Sequence, residues 1–105
     1  MADFMKILQQ AQEMQGRLQS MQDELALKTV TGTAGGGMVT VEADGRGQLR
    51  KIHIDPGVVD PSDVEMLEDL VLVAVTEAQK KAATLAQDEM GKLAGGMQLP
   101  FKLPF

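Results

Sequence analysis

With 105 residues, 44% of them apolar, the chain has the length and content of one small domain. It lacks Cys, Trp and Tyr, which excludes disulfides, thiolate metal sites and cysteine nucleophiles and leaves Met to supply much of any interface. A net charge of −5 argues against broad attraction to nucleic acid, but the acidity is gathered between Asp60 and Glu77, leaving basic patches elsewhere.

No basic stretch precedes an apolar run at the start, so no secretory signal is expected. No run of about 18 apolar residues occurs, so no membrane span is expected either. Cysteine-free composition suits a reducing cytoplasm.

Ala2 to Leu27 reads as a helix. Phe4, Ile7, Ala11, Met14, Leu18, Met21 and Leu25 alternate spacings of three and four, an unbroken heptad seam. Its other faces are rich in Gln (Gln9, Gln10, Gln12, Gln15, Gln19, Gln22). The seam suits helix packing within one compact fold, or a free coiled coil. Lys28 to Ala34 is rich in Thr and Val and reads as a strand. Gly35-Gly36-Gly37 breaks it. Met38 to Ala43 alternates, with Val39, Val41 and Ala43 on one face. Asp44-Gly45-Arg46-Gly47 is a hairpin turn, and Gln48 to Asp55 is the third strand, with Ile52 and Ile54 on one face and Lys51 and His53 on the other. The centre of the chain is therefore a three-stranded antiparallel meander.

Asp55-Pro56-Gly57 ends the sheet. Asp60 as N-cap and Pro61 in the first turn then open a long helix, predicted over Pro61 to Leu93. Its apolar positions hold spacings of three and four throughout. At 1.5 Å per residue it is about 50 Å long, against a diameter of roughly 26–30 Å for a compact domain of this size. Part of it must project or pack on another chain. Leu70, Val71, Leu72, Val73, Ala74 and Val75 form an apolar girdle, the expected dimer interface. Gly95-Gly96 is the expected stop, which divides the chain into a domain over residues 1–94 and an apolar Gly/Pro-containing tail over residues 95–105. The fold class is α+β, in the order α-β-β-β-α.

No active site can be assembled. Gly32 to Gly37 is followed by a strand and lacks Gly-Lys-Ser/Thr, so it is a strand connection rather than a phosphate loop. His53 is a lone surface histidine. Glu65, Glu68 and Asp69 lack a matching Glu-x-x-His and suit the positive end of a helix better than a metal. No metal, cofactor or small-molecule substrate is expected. The basic residues Lys6, Arg17, Lys80, Lys81 and Lys92 are the candidate phosphate contacts. Lys80, Lys81 and Lys92 would also stabilise the negative end of their helix. Arg46, Arg50 and Lys51 form a second basic group on the hairpin.

The chain resembles the YbaB/EbfC nucleoid-associated proteins. The resemblance rests on Gln9-Gln10-Ala11-Gln12-Glu13-Met14-Gln15 and Met21-Gln22-Asp23-Glu24 in the first helix. It continues through Gly36-Gly37-Met38-Val39-Thr40-Val41 and Ile52-His53-Ile54-Asp55-Pro56. It ends with Glu65-Met66-Leu67-Glu68-Asp69-Leu70 and Gly95-Gly96-Met97-Gln98-Leu99-Pro100. Each piece is weakly specific, but their common order is not. The resemblance implies a bacterial, cytoplasmic homodimer with helices projecting like tweezers, associated with double-stranded DNA in the nucleoid and with a bearing on nucleoid organisation or gene expression. It also implies a link to replication or recombination proteins, so an adaptor acting through Met-rich surfaces and the apolar tail is the alternative function. One departure is Thr76-Glu77-Ala78, where the family usually has Asn before the acidic residue; any role of that Asn is in doubt here.

Overall fold

The computed structural model describes residues 2–96. Helix α1 spans Ala2–Leu27. Strands β1 (Thr29–Ala34), β2 (Val39–Asp44) and β3 (Leu49–Ile54) come next, then one 3-10 turn over Pro56–Val58 and helix α2 over Val64–Gly96. The sheet is antiparallel in the order β1-β2-β3. The expected α-β-β-β-α order and the meander are both present.

Alternation builds the core. Val39, Val41 and Ala43 have no exposed surface, and α2 lies across this face, over β1 and β2. Ala34, Val58, Ala74 and Ala78 complete the buried cluster. The register sets Ile54 opposite Val39 and Ile52 opposite Val41, so the same apolar face continues onto β3. There the helix no longer covers it, and Ile52 stays 46% exposed.

Two turns hold the meander. Gly35, Gly36 and Gly37 have φ of 63°, 68° and 95°, a left-handed run that side chains would strain. At the hairpin, the Asp44 carboxylate accepts from the Arg46 and Gln48 backbone N–H groups (2.9 and 3.0 Å) and from the Arg50 guanidinium (2.9 Å). The Gly45 N–H donates to the Leu25 carbonyl at 2.8 Å, stitching the hairpin to the end of α1.

Both helices outrun the sheet. The radius of gyration is 19.7 Å, against about 13 Å for a compact domain of this size. The long axis measures 71 Å. Lys28 meets Glu89 at 3.0 Å, and Leu93 faces Gly16 and Arg17 across a cleft, so α1 and α2 run antiparallel. Only the last third of the heptad seam is buried, at Met21 and Leu25; Met14 and Leu18 are half-buried, and Phe4 and Ile7 are each 60% exposed.

The start of α2 differs from the sequence expectation. Asp60 does not cap it. Its carboxylate instead accepts from the Ser62 N–H (2.9 Å) and hydroxyl (2.7 Å), closing a local turn. Asp63 is the N-cap, accepting from the Met66 N–H at 3.2 Å. Pro61 therefore lies ahead of the helix. At the other end, α2 continues through Gly95 and Gly96 rather than stopping before them. The expected tail lies, from residue 97, outside the described residues.

Candidate nucleic-acid interface

The five basic residues singled out from the sequence fall into three settings. Lys6 is exposed on the distal part of α1, beyond the reach of the sheet. Arg17 and Lys92 come together on the two walls of a cleft of ≈ 600 Å³ between α1 and α2, which Glu13, Glu24 and Glu89 also line. Lys80 and Lys81 share the outward side of α2 with Glu77 and Thr84.

Their chemistry is not equivalent. Lys81 is committed within the protomer: its ammonium donates to the Thr31 carbonyl at 2.8 Å and pairs with Glu77 at 3.1 Å. Glu77 in turn accepts from the Thr33 backbone N–H. Together these side chains occupy the outer edge of β1, whose backbone groups would otherwise be free to template another strand. The Lys81 hydrogen bond holds the Glu77 carboxyl below its usual range, against the opposing pull of burial. Lys92 pairs with Glu89 at 3.5 Å, and Glu89 also bonds Lys28, whose ammonium is the main cause of the lowered Glu89 carboxyl pKa. No ion pair is formed by Lys6 or Lys80 among the described residues. Lys80 is therefore the better placed of the neighbouring lysines to meet a phosphate.

On the hairpin, Arg50 is held by Asp44, which is 2% exposed. Burial pushes the Asp44 carboxyl up, but the backbone N–H groups of Gln48 and Arg46 and the Arg50 charge outweigh it, and the net shift is downward. Arg46 is exposed on the rim of a groove of ≈ 520 Å³ shared by α1, the hairpin and α2, with Gln22 and Gln79 beside it. The Asp-Gly-Arg-Gly turn was the sequence signal for that position. Lys51 and His53 lie on the opposite side of the sheet from α2, facing Glu42 and Thr40 on β2. Lys28 had no sequence signal as a link between the helices, because its partner Glu89 lies 61 residues away.

The apolar girdle divides. Ala74 is fully buried against its own sheet; Leu70, Val71 and Val75 pack on the core from its flanks. Leu72 and Val73 are 64% and 54% exposed. Leu67, Val71, Leu72 and Val75 line, with Ile54 and Glu68, a largely apolar groove of ≈ 480 Å³ beside β3. Among the described residues no group of three or more His, Asp or Glu is placed to hold a metal ion, and no helix is long and apolar enough to cross a membrane.

The family whose model matches, over residues 1–97, is the YbaB/EbfC DNA-binding family. A nucleoid-associated protein of Gemmatimonas aurantiaca is 55% identical over 103 residues, covering 98% of this chain and 99% of its own. A nucleoid-associated protein of Granulibacter bethesdensis is 46% identical over 107 residues, covering 100% of both. An uncharacterized Helicobacter pylori protein of known crystal structure is similar with a TM-score of 0.62 at 23% identity, covering 83% of this chain and 96% of that one; this likeness bears on the fold alone.

Proposed function

Because the chain belongs to the YbaB/EbfC DNA-binding family, we propose that it is a dimeric nucleoid-associated protein of the bacterial cytoplasm that contacts the phosphates of duplex DNA weakly through its projecting helices. The observation that carries this reading is the pair of antiparallel helices extending beyond a small sheet, with Lys6, Lys80 and the Arg17–Lys92 cleft along them. Acidic Glu13, Glu24 and Glu89 share the cleft, so attraction is local rather than global. Backbone contacts of this kind position a protein without reading sequence.

The second copy is recruited through the uncovered apolar strip. Ile52 and Ile54 on β3 and Leu67, Val71, Leu72 and Val75 on α2 form one continuous apolar surface beside a strand edge. The opposite sheet edge is occupied by Lys81 and Glu77. A two-fold pairing of the β3 sides buries the strip in both protomers and leaves the helices free to project.

The test is DNA binding at low and moderate salt by protein whose solution mass has been measured. Binding that weakens steeply with salt on a dimer supports the reading; no binding at either salt, or a monomer, opposes it. An adaptor role toward replication or recombination proteins is favoured by one observation, the exposure of Phe4, Met5, Ile7 and Leu8 on α1. Loss of protein partners with unchanged DNA affinity on removal of residues 97–105 is the result that favours it.

A further inference from the structure

The heptad seam of α1 is longer than its cover. Met21 and Leu25 are buried, Met14 and Leu18 half-buried, and Ala11, Ile7 and Phe4 exposed. Burial fades along one continuous stripe, in the direction in which α2 runs out. Leu93 faces Gly16 and Arg17, and Gly96 lies about 4.5 Å further along the α2 axis. The end of α2 thus lies beside the point where the seam becomes uncovered.

The nine residues after Gly96 carry a matching pattern. From Met97 to Phe105, every odd position is apolar: Met97, Leu99, Phe101, Leu103 and Phe105. The even positions are Gln98, Pro100, Lys102 and Pro104. Proline cannot continue a helix and pushes the residue before it into an extended conformation. In an extended chain a period of two sets the five apolar side chains along one side and Gln98 and Lys102 along the other.

We propose that residues 97–105 strap back along the seam of their own α1, covering Ala11, Ile7 and Phe4. The reach is sufficient. Nine extended residues span about 30 Å, whereas the uncovered seam, from the level of Glu13 to Phe4, is about 14 Å along the helix axis. No reversal of direction is needed, because α2 already runs antiparallel to α1. The strap gives the projecting end of α1 the apolar partner that α2 is too short to supply. It also makes the α1 tip and the tail partners of each other rather than two separate adhesive surfaces.

The test uses the full chain, which has no native cysteine. Ile7→Cys and Leu99→Cys are introduced together and treated with a short bis-maleimide. The expected product is cross-linked within one chain and runs at one-chain mass under denaturing conditions. A two-chain product would assign the surface to a second copy and overturn the proposal. Hydrogen exchange gives an independent reading, compared between the full chain, a chain ending at Gly96 and Phe101→Ser/Leu103→Ser. Amides over residues 3–13 should exchange roughly tenfold faster in both variants, while those of β2 are unchanged. Equal exchange over residues 3–13 in all three proteins would overturn it.

Discussion

Gly32 on β1 lies directly beneath Ala74 on α2. A β-carbon on Gly32 would overlap the Ala74 carbonyl oxygen and fall 2.5 Å from the Ala78 backbone nitrogen. Helix and strand touch here backbone to backbone, with Ala74 and Ala78 fully buried at the contact. Small residues on both sides set the height of α2 above the sheet, and with it the direction in which the helix leaves the domain. Gly32→Ala should therefore force the two elements apart, since neither clashing atom is the end of a flexible side chain. The expected destabilisation is about 2–3 kcal/mol, or roughly 10–20 °C in melting temperature for a domain of this size. Thermal melts at matched protein concentration check this; an unchanged midpoint would refute the close-packing account.

Asp44 gives a prediction about acid. Its carboxyl pKa is lowered in the folded protein, as are those of Glu77 and Glu89. A carboxyl whose folded pKa is depressed contributes stability that is fully present above its unfolded pKa. That contribution is lost as pH falls through the folded value. Asp44→Asn keeps the shape but removes the charge facing Arg50, so it should be less stable than the parent at neutral pH. The difference should shrink as pH drops below the ordinary carboxylate range. Urea melts at neutral and acidic pH measure it, and a gap that stays constant across that range counts against the Asp44–Arg50 assignment.

Much of the fold was legible because its signals are local. Strict alternation in β2 and the Asp-Gly-Arg-Gly turn specify a hairpin without reference to the rest of the chain. The length of α2 announced that it must project. The first residue of α2 was not legible, because Asp60 and Asp63 both satisfy the capping pattern and Pro61 favours the first. Ser62 decides between them: its N–H and hydroxyl engage the Asp60 carboxylate, leaving Asp63 to accept from Met66. The roles of neighbouring lysines were also hidden. Lys80 and Lys81 are identical as letters, and only the position of the β1 edge, 50 residues away, separates them. The same limit applies to the apolar girdle, where a sequence run cannot reveal which residues the protomer's own sheet consumes.

That division of the girdle predicts unequal effects on assembly. Leu72 borders the apolar groove beside β3, whereas Val73 lies about 100° further round the helix, away from it. Leu72→Asp would set a charge into the proposed dimer seam, and Val73→Asp would not. Neither position belongs to the buried core, so both variants should fold. Light scattering coupled to size exclusion should find Leu72→Asp monomeric and Val73→Asp dimeric. Two dimers, or two monomers, would remove the groove from the interface.

The two neighbouring lysines supply the sharpest test of the DNA reading. Lys80 has no ion-pair partner among the described residues, so binding a phosphate costs it no internal contact. Lys81 must leave both Glu77 and the Thr31 carbonyl to do the same. Lys80→Ala should weaken DNA binding and reduce the slope of log affinity against log salt by about one for each phosphate contact removed. Lys81→Ala should leave that slope near the parent value. Its effect should instead be on the β1 edge, where loss of the Lys81 bond exposes the Thr31 carbonyl and speeds amide exchange at Thr33 as Glu77 loses the charge that holds it. Salt-titrated binding and hydrogen exchange on the same two variants separate these outcomes. If Lys81→Ala flattens the salt dependence while Lys80→Ala does not, the phosphate contact belongs to Lys81 and its bonds to the strand are exchanged on binding.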